Sequence, residues 1–240
     1  MASRAEPVAR LRTSAAGPFR LALSDFYFDS LRLIRANLVW GAVVILAVVV
    51  GIGWPLAGLI LVGLLALPTA AVFRTAADIV RADTVAGRHE LRWAVGRAAG
   101  RLLIGGVGFV LAGIVCAWNI GVGLANGGAP GWAFATLAAW GLVTLWCAAL
   151  VFWPVVTDPL RPERPLRDDI AIVAQVLLTE PRRVAGLAVT AAVVVVLSVV
   201  LTVAVLTLSV AFVALFACRS VYPILDRMQA RSVAPVGPTA

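Results

Sequence analysis

Few residues in this chain are of the types that carry out chemistry. The sequence has one histidine, His89, and three cysteines, Cys116, Cys147 and Cys218. The cysteines are far apart and each lies within or beside an apolar run, so they form neither a Cys-x-x-Cys pair nor a Cys/His cluster. We interpret them as small apolar packing residues, and His89 as a solvated loop residue. The sequence therefore predicts no metal site and no cofactor.

Enzyme motifs are missing from the sequence as well. It has no Walker A loop, no H-E-x-x-H and no G-x-S-x-G. Proteins that do chemistry inside a membrane usually keep an ionisable residue there, since only a function compensates for its cost. Three long stretches, residues 36–73, 102–157 and 184–218, contain no Asp, Glu, Lys, Arg or His. We predict no catalytic residue and no enzymatic activity.

Uncharged polar residues are scattered through these stretches. They are Asn119, Thr136, Thr144, Thr190, Ser198, Thr202, Thr207 and Ser209. Hydroxyl groups in membrane helices usually bond to a neighbouring helix or to a carbonyl of their own helix, and we favour this interpretation. The alternative is a polar substrate path lined by Asn119 and the threonines.

The composition indicates an integral membrane protein. Hydrophobic residues make up 62% of the chain, charged residues only 13%, and the mean hydropathy is +0.99, whereas soluble domains are about 25% charged. The net charge of +8 comes from 20 basic residues, all of them arginine. In a soluble protein this excess would suggest nucleic acid. Here the enrichment of cytoplasmic loops in basic residues explains it, and we predict no nucleic-acid binding.

Turn signals divide the first two uncharged stretches. The first breaks at residues 51–55, which include Trp54 and Pro55, and the second at the glycine-rich residues 126–131. Each stretch therefore predicts a helical hairpin with an uncharged tip, and its arginine-bearing ends lie in the cytoplasm.

The third stretch has no such turn. As one helix, residues 184–217 would be roughly 50 Å long, whereas the hydrocarbon core of a bilayer is about 30 Å thick. The stretch is therefore one long tilted helix or two short antiparallel ones. We favour a hairpin with its turn near residues 198–202, because it keeps Arg219, Arg227 and Arg231 in the cytoplasm with the other arginines.

The predicted fold is an all-α polytopic transmembrane helical bundle. It has six spans in three hairpins with both termini in the cytoplasm, and five spans are the alternative. The spans cover about residues 36–53, 56–73, 100–124, 132–156, 182–200 and 203–225. Residues 1–20 and 229–240 are predicted tails of the transmembrane domain 21–228. We place the chain in the lipid bilayer of a bacterial inner or plasma membrane, and small-residue motifs at Gly96 and Gly100 leave open a homo-oligomer.

Prolines occur at the cytoplasmic ends of spans two and four. Pro68 precedes Thr69 and Arg74, and Pro154 lies at a matching depth. Ordinary helix ends explain both, with Thr69 bonding carbonyls that Pro68 leaves unpaired; the alternative is a pair of discontinuous helices around a site. Pro181 is predicted to end a cytoplasmic helix.

The order of these features resembles that of the YesL-like family of bacterial membrane proteins, whose function is unassigned. The resemblance rests on Asn37-Leu38-x-Trp40, the segment Leu67–Arg74, Phe152-Trp153-Pro154-Val155 and Thr179-Glu180-Pro181-Arg182. It implies an accessory or regulatory role beside a bacterial carbohydrate ABC uptake system, and it transfers no catalytic residue.

Two segments are the expected contact surfaces for such a partner, residues 74–101 and 158–183, because they carry most of the charge between spans. A small transporter or permease subunit that moves a polar solute is the alternative function. The candidate positions are Asn37, Trp54, Pro55, Pro68, Thr69, Arg74, Asn119, Pro154 and Pro181.

Overall fold

The computed structural model describes residues 17–81, 90–96, 98–161, 164–200 and 209–233, and their regular structure is helical. In chain order the described helices are α1 Pro18–Phe28, α2 Ser30–Gly53, α3 Pro55–Leu64, α4 Ala66–Arg81, α5 Glu90–Val95, α6 Ala99–Asn126, α7 Gly128–Thr157, α8 Leu166–Thr179, α9 Pro181–Val200 and α10 Val210–Val233.

The first hairpin turns where the sequence predicts. The Trp54 N–H donates to the Val50 carbonyl at 2.7 Å and closes α2. Pro55 then takes the first position of α3, where its missing N–H is not needed. Leu65 continues the helical path, since its N–H donates to the carbonyl of Leu61 at 3.0 Å. The helices α3 and α4 therefore make one long segment that returns across the bundle.

The second hairpin reverses at two glycines. Gly127 has a φ of 60° and Gly128 a φ of 66°, a left-handed conformation that favours glycine. Close behind the turn, a Cβ placed on Gly131 would lie 2.6 Å from the Gly123 carbonyl oxygen. The predicted tip at residues 126–131 is confirmed, and glycine allows α6 and α7 to approach closely there.

Residues 184–217 do not form one long helix. The helix α9 ends at Val200 and α10 begins at Val210. Glu180, just before α9, forms an ion pair with Arg227 late in α10, with Oε1 and Nη2 3.6 Å apart. The start of α9 thus lies beside the end of α10, so the two helices are antiparallel as predicted. The helix α9 runs through most of the expected turn, and residues 201–208 lie outside the described ranges.

Five described segments are long and apolar enough to cross a membrane. They are Ser30–Gly53, Pro55–Arg81, Ala99–Asn126, Gly128–Thr157 and Pro181–Ser198. The polytopic all-α class is therefore confirmed, and these segments match the first five predicted spans. The sixth predicted span, residues 203–225, begins outside the described ranges. The total of six spans therefore remains a prediction.

Buried side chains concentrate at one end of the bundle, where α2 and α6 begin and α4 and α7 end. We call this the inner end, because the arginines gather there. Val72, Phe73, Val151 and Phe152 are among its core residues. The helix α6, by contrast, is mostly exposed along its length, as expected for a helix that faces lipid.

Three predicted boundaries are wrong. The helix α4 continues past residue 73 to Arg81 and is largely buried over Thr75–Ile79, so residues 74–81 are not a loop that a partner can contact. The predicted tail 1–20 overlaps α1, which begins at Pro18, and the tail 229–240 overlaps α10, which runs to Val233. The extension of α4 packs on the inner core, whereas residues 18–20 of α1 and 229–231 of α10 are exposed.

Candidate functional site

Ion pairs between helices dominate the inner end. In the part of the chain that the structure describes, four aspartates are buried, namely Asp25, Asp78, Asp158 and Asp169. Among the described residues, the pairs that join separate elements are Arg219–Asp25, Arg32–Asp78, Arg81–Asp158, Arg101–Asp169, Arg81–Asp226 and Arg227–Glu180. Burying a carboxylate is costly unless it is paired, so the packing of these helices depends on the arginines.

Arg81 joins three parts of the bundle. Its Nη2 lies 2.8 Å from Asp158 Oδ2 after α7, and its Nη1 lies 2.8 Å from Asp226 Oδ2 in α10. The guanidinium also lies 4.3 Å from the ring centre of Tyr222, a distance at which a cation is attracted to the ring. The end of α4 is therefore held against both α7 and α10.

Arg219 holds α1 in place. Its Nε donates to Asp25 Oδ2 at 2.7 Å, and Asp25 is only 4% exposed. Beside this pair, the ring of Phe19 packs edge-on against Phe212 and Phe216 of α10. The helix α1 is thus part of the bundle and not only a lead into the first span.

Thr69 connects α4 to α2. The Trp40 Nε1 donates to Thr69 Oγ1 at 3.0 Å, and Thr69 Oγ1 donates to the Leu65 carbonyl at 2.7 Å. The carbonyl that Pro68 leaves unpaired is that of Leu64, four residues earlier. The prediction that Thr69 bonds the freed carbonyl is therefore wrong, because its hydroxyl reaches the next carbonyl along.

The other predicted positions are spread over the molecule. Trp54 and Pro55 lie at the opposite, outer tip, and Pro181 is the first residue of α9 after α8 ends, as predicted. Pro154 lies inside α7 near its end. Asn37 is buried in α2, whereas Asn119 is half-buried in α6. These residues do not converge on one site, and among them only Arg74 lies in the inner cavity described next.

A cavity of about 200 Å³ opens at the inner end, which we call the inner arginine cavity. Its lining is Arg74, Trp93, Arg101, Val155, Val156, Asp158, Pro159, Arg161, Arg164, Asp169 and Ile172. Arg74 donates to the Thr157 carbonyl at 3.1 Å and lies 4.9 Å from the ring centre of Trp93. Arg101 donates to the Arg164 carbonyl at 2.8 Å. These backbone acceptors hold the guanidinium groups at the cavity wall.

Burial shifts the pKa values of two cavity residues. Desolvation raises the pKa of the Asp169 carboxyl above its ordinary value, and the nearby Arg101 opposes the rise. Desolvation also lowers the pKa of the Arg161 guanidinium, and Asp158 opposes that shift. The cavity is thus a poorly hydrated place in which charges interact strongly.

A second, more open depression lies between α8 and α10. We call it the inner groove, and its volume is about 340 Å³. It is lined by Gln175, Thr179, Glu180, Ile224, Arg227, Met228 and Arg231. Apolar side chains therefore form part of its wall, and arginines lie along the α10 side.

The threonines of the spans bond within their own helices. Thr136 donates to the Trp132 carbonyl at 2.8 Å, and Thr144 donates to the Trp140 carbonyl at 2.9 Å. Thr190 likewise donates to the carbonyl of the residue four positions earlier in α9. This agrees with the favoured interpretation. Thr202, Thr207 and His89 lie outside the described ranges.

Comparison of the chain with protein-family models, with curated proteins and with solved structures finds no match. The resemblance to the YesL-like family therefore remains a prediction from the sequence. Function has to be inferred from the inner end itself.

Sequence reasoning missed the buried aspartates. The signal was present, since Asp25, Asp78 and Asp158 lie in segments that also carry arginines. In a membrane protein such an acid is expected to have a basic partner. The partner itself is not readable from the sequence, because the paired residues are far apart in the chain.

Proposed function

We propose that this protein is a multi-pass membrane protein that acts by binding a partner at its inner face, as an accessory subunit of a bacterial carbohydrate ABC uptake system. The observation that supports partner binding is the inner groove, a depression with basic and apolar walls at the end of a tightly paired bundle. The kind of partner is suggested by the sequence resemblance around Trp40, Pro68, Pro154 and Pro181.

The groove has the chemistry of a peptide-binding surface. Arg227 and Arg231 are exposed on α10, while the half-buried Met228 contributes apolar surface. Glu180 is already engaged, because its Oε1 lies 3.4 Å from Arg183 and 3.6 Å from Arg227. Arginine is suited to carboxylates that approach in its plane. We expect the groove to bind an acidic segment that also carries an apolar side chain.

The helices that form the inner groove are held in place by buried contacts on the side that faces the bundle. Leu225 of α10 and Val176 of α8 are fully buried, and Arg81 pairs with Asp226 on the same turn as the groove residues. A surface held in one conformation loses less entropy on binding. This favours a docking role over a moving gate.

A permease subunit for a polar solute is less well supported. Such a protein needs polar groups that face a path through the membrane, and the hydroxyl groups of Thr136 and Thr144 bond to their own helix on an exposed face. Partner binding is therefore the function that we put to the test.

Photocrosslinking in native membranes tests the proposal. A photoreactive residue at Gln175 lies in the inner groove, whereas the same residue at Leu178, which is 82% exposed on α8, serves as the matched control. We expect Gln175 to capture a subunit of an ABC transporter and Leu178 not to do so. The double variant Arg227→Glu/Arg231→Glu should abolish the capture.

Three results would contradict the proposal. Equal capture from Gln175 and Leu178 would show that the groove is not the contact. Capture of no partner would argue against docking. Flux of a sugar into liposomes that contain only this protein would favour the permease alternative.

A further inference from the structure

The inner arginine cavity has more positive charge than its own carboxylates can balance. Among the residues that the structure describes, its wall contains the four arginines Arg74, Arg101, Arg161 and Arg164 and the two aspartates Asp158 and Asp169. One of the two, Asp158, is shared with a fifth arginine, since Arg81 lies 2.8 Å from it and Arg161 3.3 Å from it. The cavity therefore attracts an anion.

Guanidinium groups of the wall keep hydrogen-bonding capacity. Arginine has five N–H donors. Arg74 and Arg101 each lie 3.6 Å from their closest carboxylate oxygen, which is longer than a hydrogen bond. The side chain of Arg164 makes no ion pair with any residue that the structure describes. An oxygen-rich ligand would find donors on several sides.

Asp169 does not close the cavity to an anion. Its side chain is 6% exposed, yet its Oδ2 accepts no hydrogen bond from the described part of the chain. A buried carboxylate in that state is costly when ionised. Desolvation also raises its pKa, and Arg101 opposes the rise.

The volume of the inner arginine cavity fits a small ligand. About 200 Å³ is several times the roughly 30 Å³ that a water molecule takes up in the liquid. It is below the ~300 Å³ at which pockets begin to enclose drug-sized ligands. A tetrahedral phosphate fits this range and matches the forked donors of arginine.

The position of the inner arginine cavity in the bundle also suits a phosphate group. The cavity lies where α4 and α7 end, and Trp93 of α5 forms part of its wall. Tryptophan is typical of the level of lipid headgroups. The phosphate of a lipid headgroup and a phosphate dissolved in the cytoplasm can both reach such a position.

We propose that the inner arginine cavity is a phosphate-binding site formed by Arg74, Arg101, Arg161 and Arg164. The ligand is a phosphate group, either on a membrane phospholipid or on a soluble phosphate compound. This site is separate from the inner groove, so the two proposals succeed or fail independently.

Binding to the purified full chain in detergent tests the site. The probes are phosphatidylglycerol, phosphatidylcholine and inorganic phosphate, and the readouts are the shift in Tm and the affinity by native mass spectrometry. Stabilisation by phosphatidylglycerol with little effect of inorganic phosphate identifies the lipid source. Saturable stabilisation by inorganic phosphate identifies a soluble source. No saturable binding of any probe would overturn the proposal.

Matched variants locate the binding. Arg164→Gln should weaken it about tenfold, the effect of one charge-assisted hydrogen bond, and Arg164→Lys should retain part of it. Arg182→Gln, an exposed arginine outside the cavity, should bind like the unaltered protein. If Arg164→Gln changes the helix content, the comparison of Arg164→Lys with Arg182→Gln decides whether the probe binds in the cavity. Equal weakening by all three variants would show non-specific attraction and contradict the site.

Discussion

Arg81 in α4 lies 2.8 Å from Asp158, which stands 77 positions later at the end of α7. Asp158 is 3% exposed and also lies 3.3 Å from Arg161. This pair joins the first and second hairpins at the inner end, and the second contact of Arg81, to Asp226, adds the last helix. The inner end is therefore held by charge as much as by apolar packing.

We expect Asp158→Asn to destabilise the protein strongly. Removal of one partner of a buried pair leaves Arg81 and Arg161 without their shared carboxylate, which costs about 3–5 kcal/mol. The control is Asp226→Asn, whose side chain is 53% exposed and whose loss should cost about 1 kcal/mol or less. Thermal unfolding in detergent measures both. Equal losses would show that burial does not decide the strength of the two contacts.

The tip of the second hairpin should not tolerate a methyl group. A Cβ on Gly131 would lie 2.6 Å from the Gly123 carbonyl oxygen, so Gly131→Ala must push α6 and α7 apart and lower the Tm. Gly121→Ala is the matched control in α6, because a Cβ there meets no atom within 4 Å. It should leave the Tm unchanged or raise it, since alanine favours a helix by about 0.5–1 kcal/mol. A lower Tm for Gly121→Ala alone would contradict the proposed packing.

The burial of the Asp169 carboxyl predicts that the stability of the protein depends on pH. Burial raises the folded pKa of this carboxyl, so the folded protein holds the proton more tightly than the unfolded chain. The free energy of unfolding contributed by Asp169 is then greatest below the unfolded pKa of about 3.9. It falls as pH rises through the folded pKa.

The variant Asp169→Asn removes this titration. We expect the difference between the Tm of Asp169→Asn and that of the unaltered protein to increase as pH rises through that window. Above the window the difference should stay constant. The exposed neighbour Asp168 supplies the matched variant Asp168→Asn, which removes one carboxylate without altering a buried one. A Tm difference for Asp169→Asn that shrinks with rising pH would mean that the ion pair with Arg101 outweighs desolvation.

Cysteine labelling tests the number of spans. In a background without Cys116, Cys147 and Cys218, six spans place a cysteine at Gln229 in the cytoplasm. A membrane-impermeant reagent should then label Asn126→Cys, at the outer tip, in intact cells and Gln229→Cys only after the membrane is opened. Labelling of Gln229→Cys in intact cells would establish five spans.

Local physics explains what could be predicted. Trp54 and Pro55 end one helix and begin the next, and Gly127 with Gly128 adopts a left-handed turn, so both tips are readable from a few neighbouring residues. The position of Arg219 favoured a hairpin over residues 184–217, because a single span would have placed that charge outside.

By itself, the sequence determined the class of the fold and the two glycine- or proline-marked tips, since these follow from hydropathy and local turns. It also favoured the antiparallel course of the third stretch, through the distribution of the arginines. Only the tertiary structure decided that α4 continues to Arg81, and that Arg81 meets Asp158 and Asp226. It also decided that arginines from three separate segments surround one cavity. Pairing between distant residues depends on how helices pack. A buried charge is stable only where that packing supplies its partner.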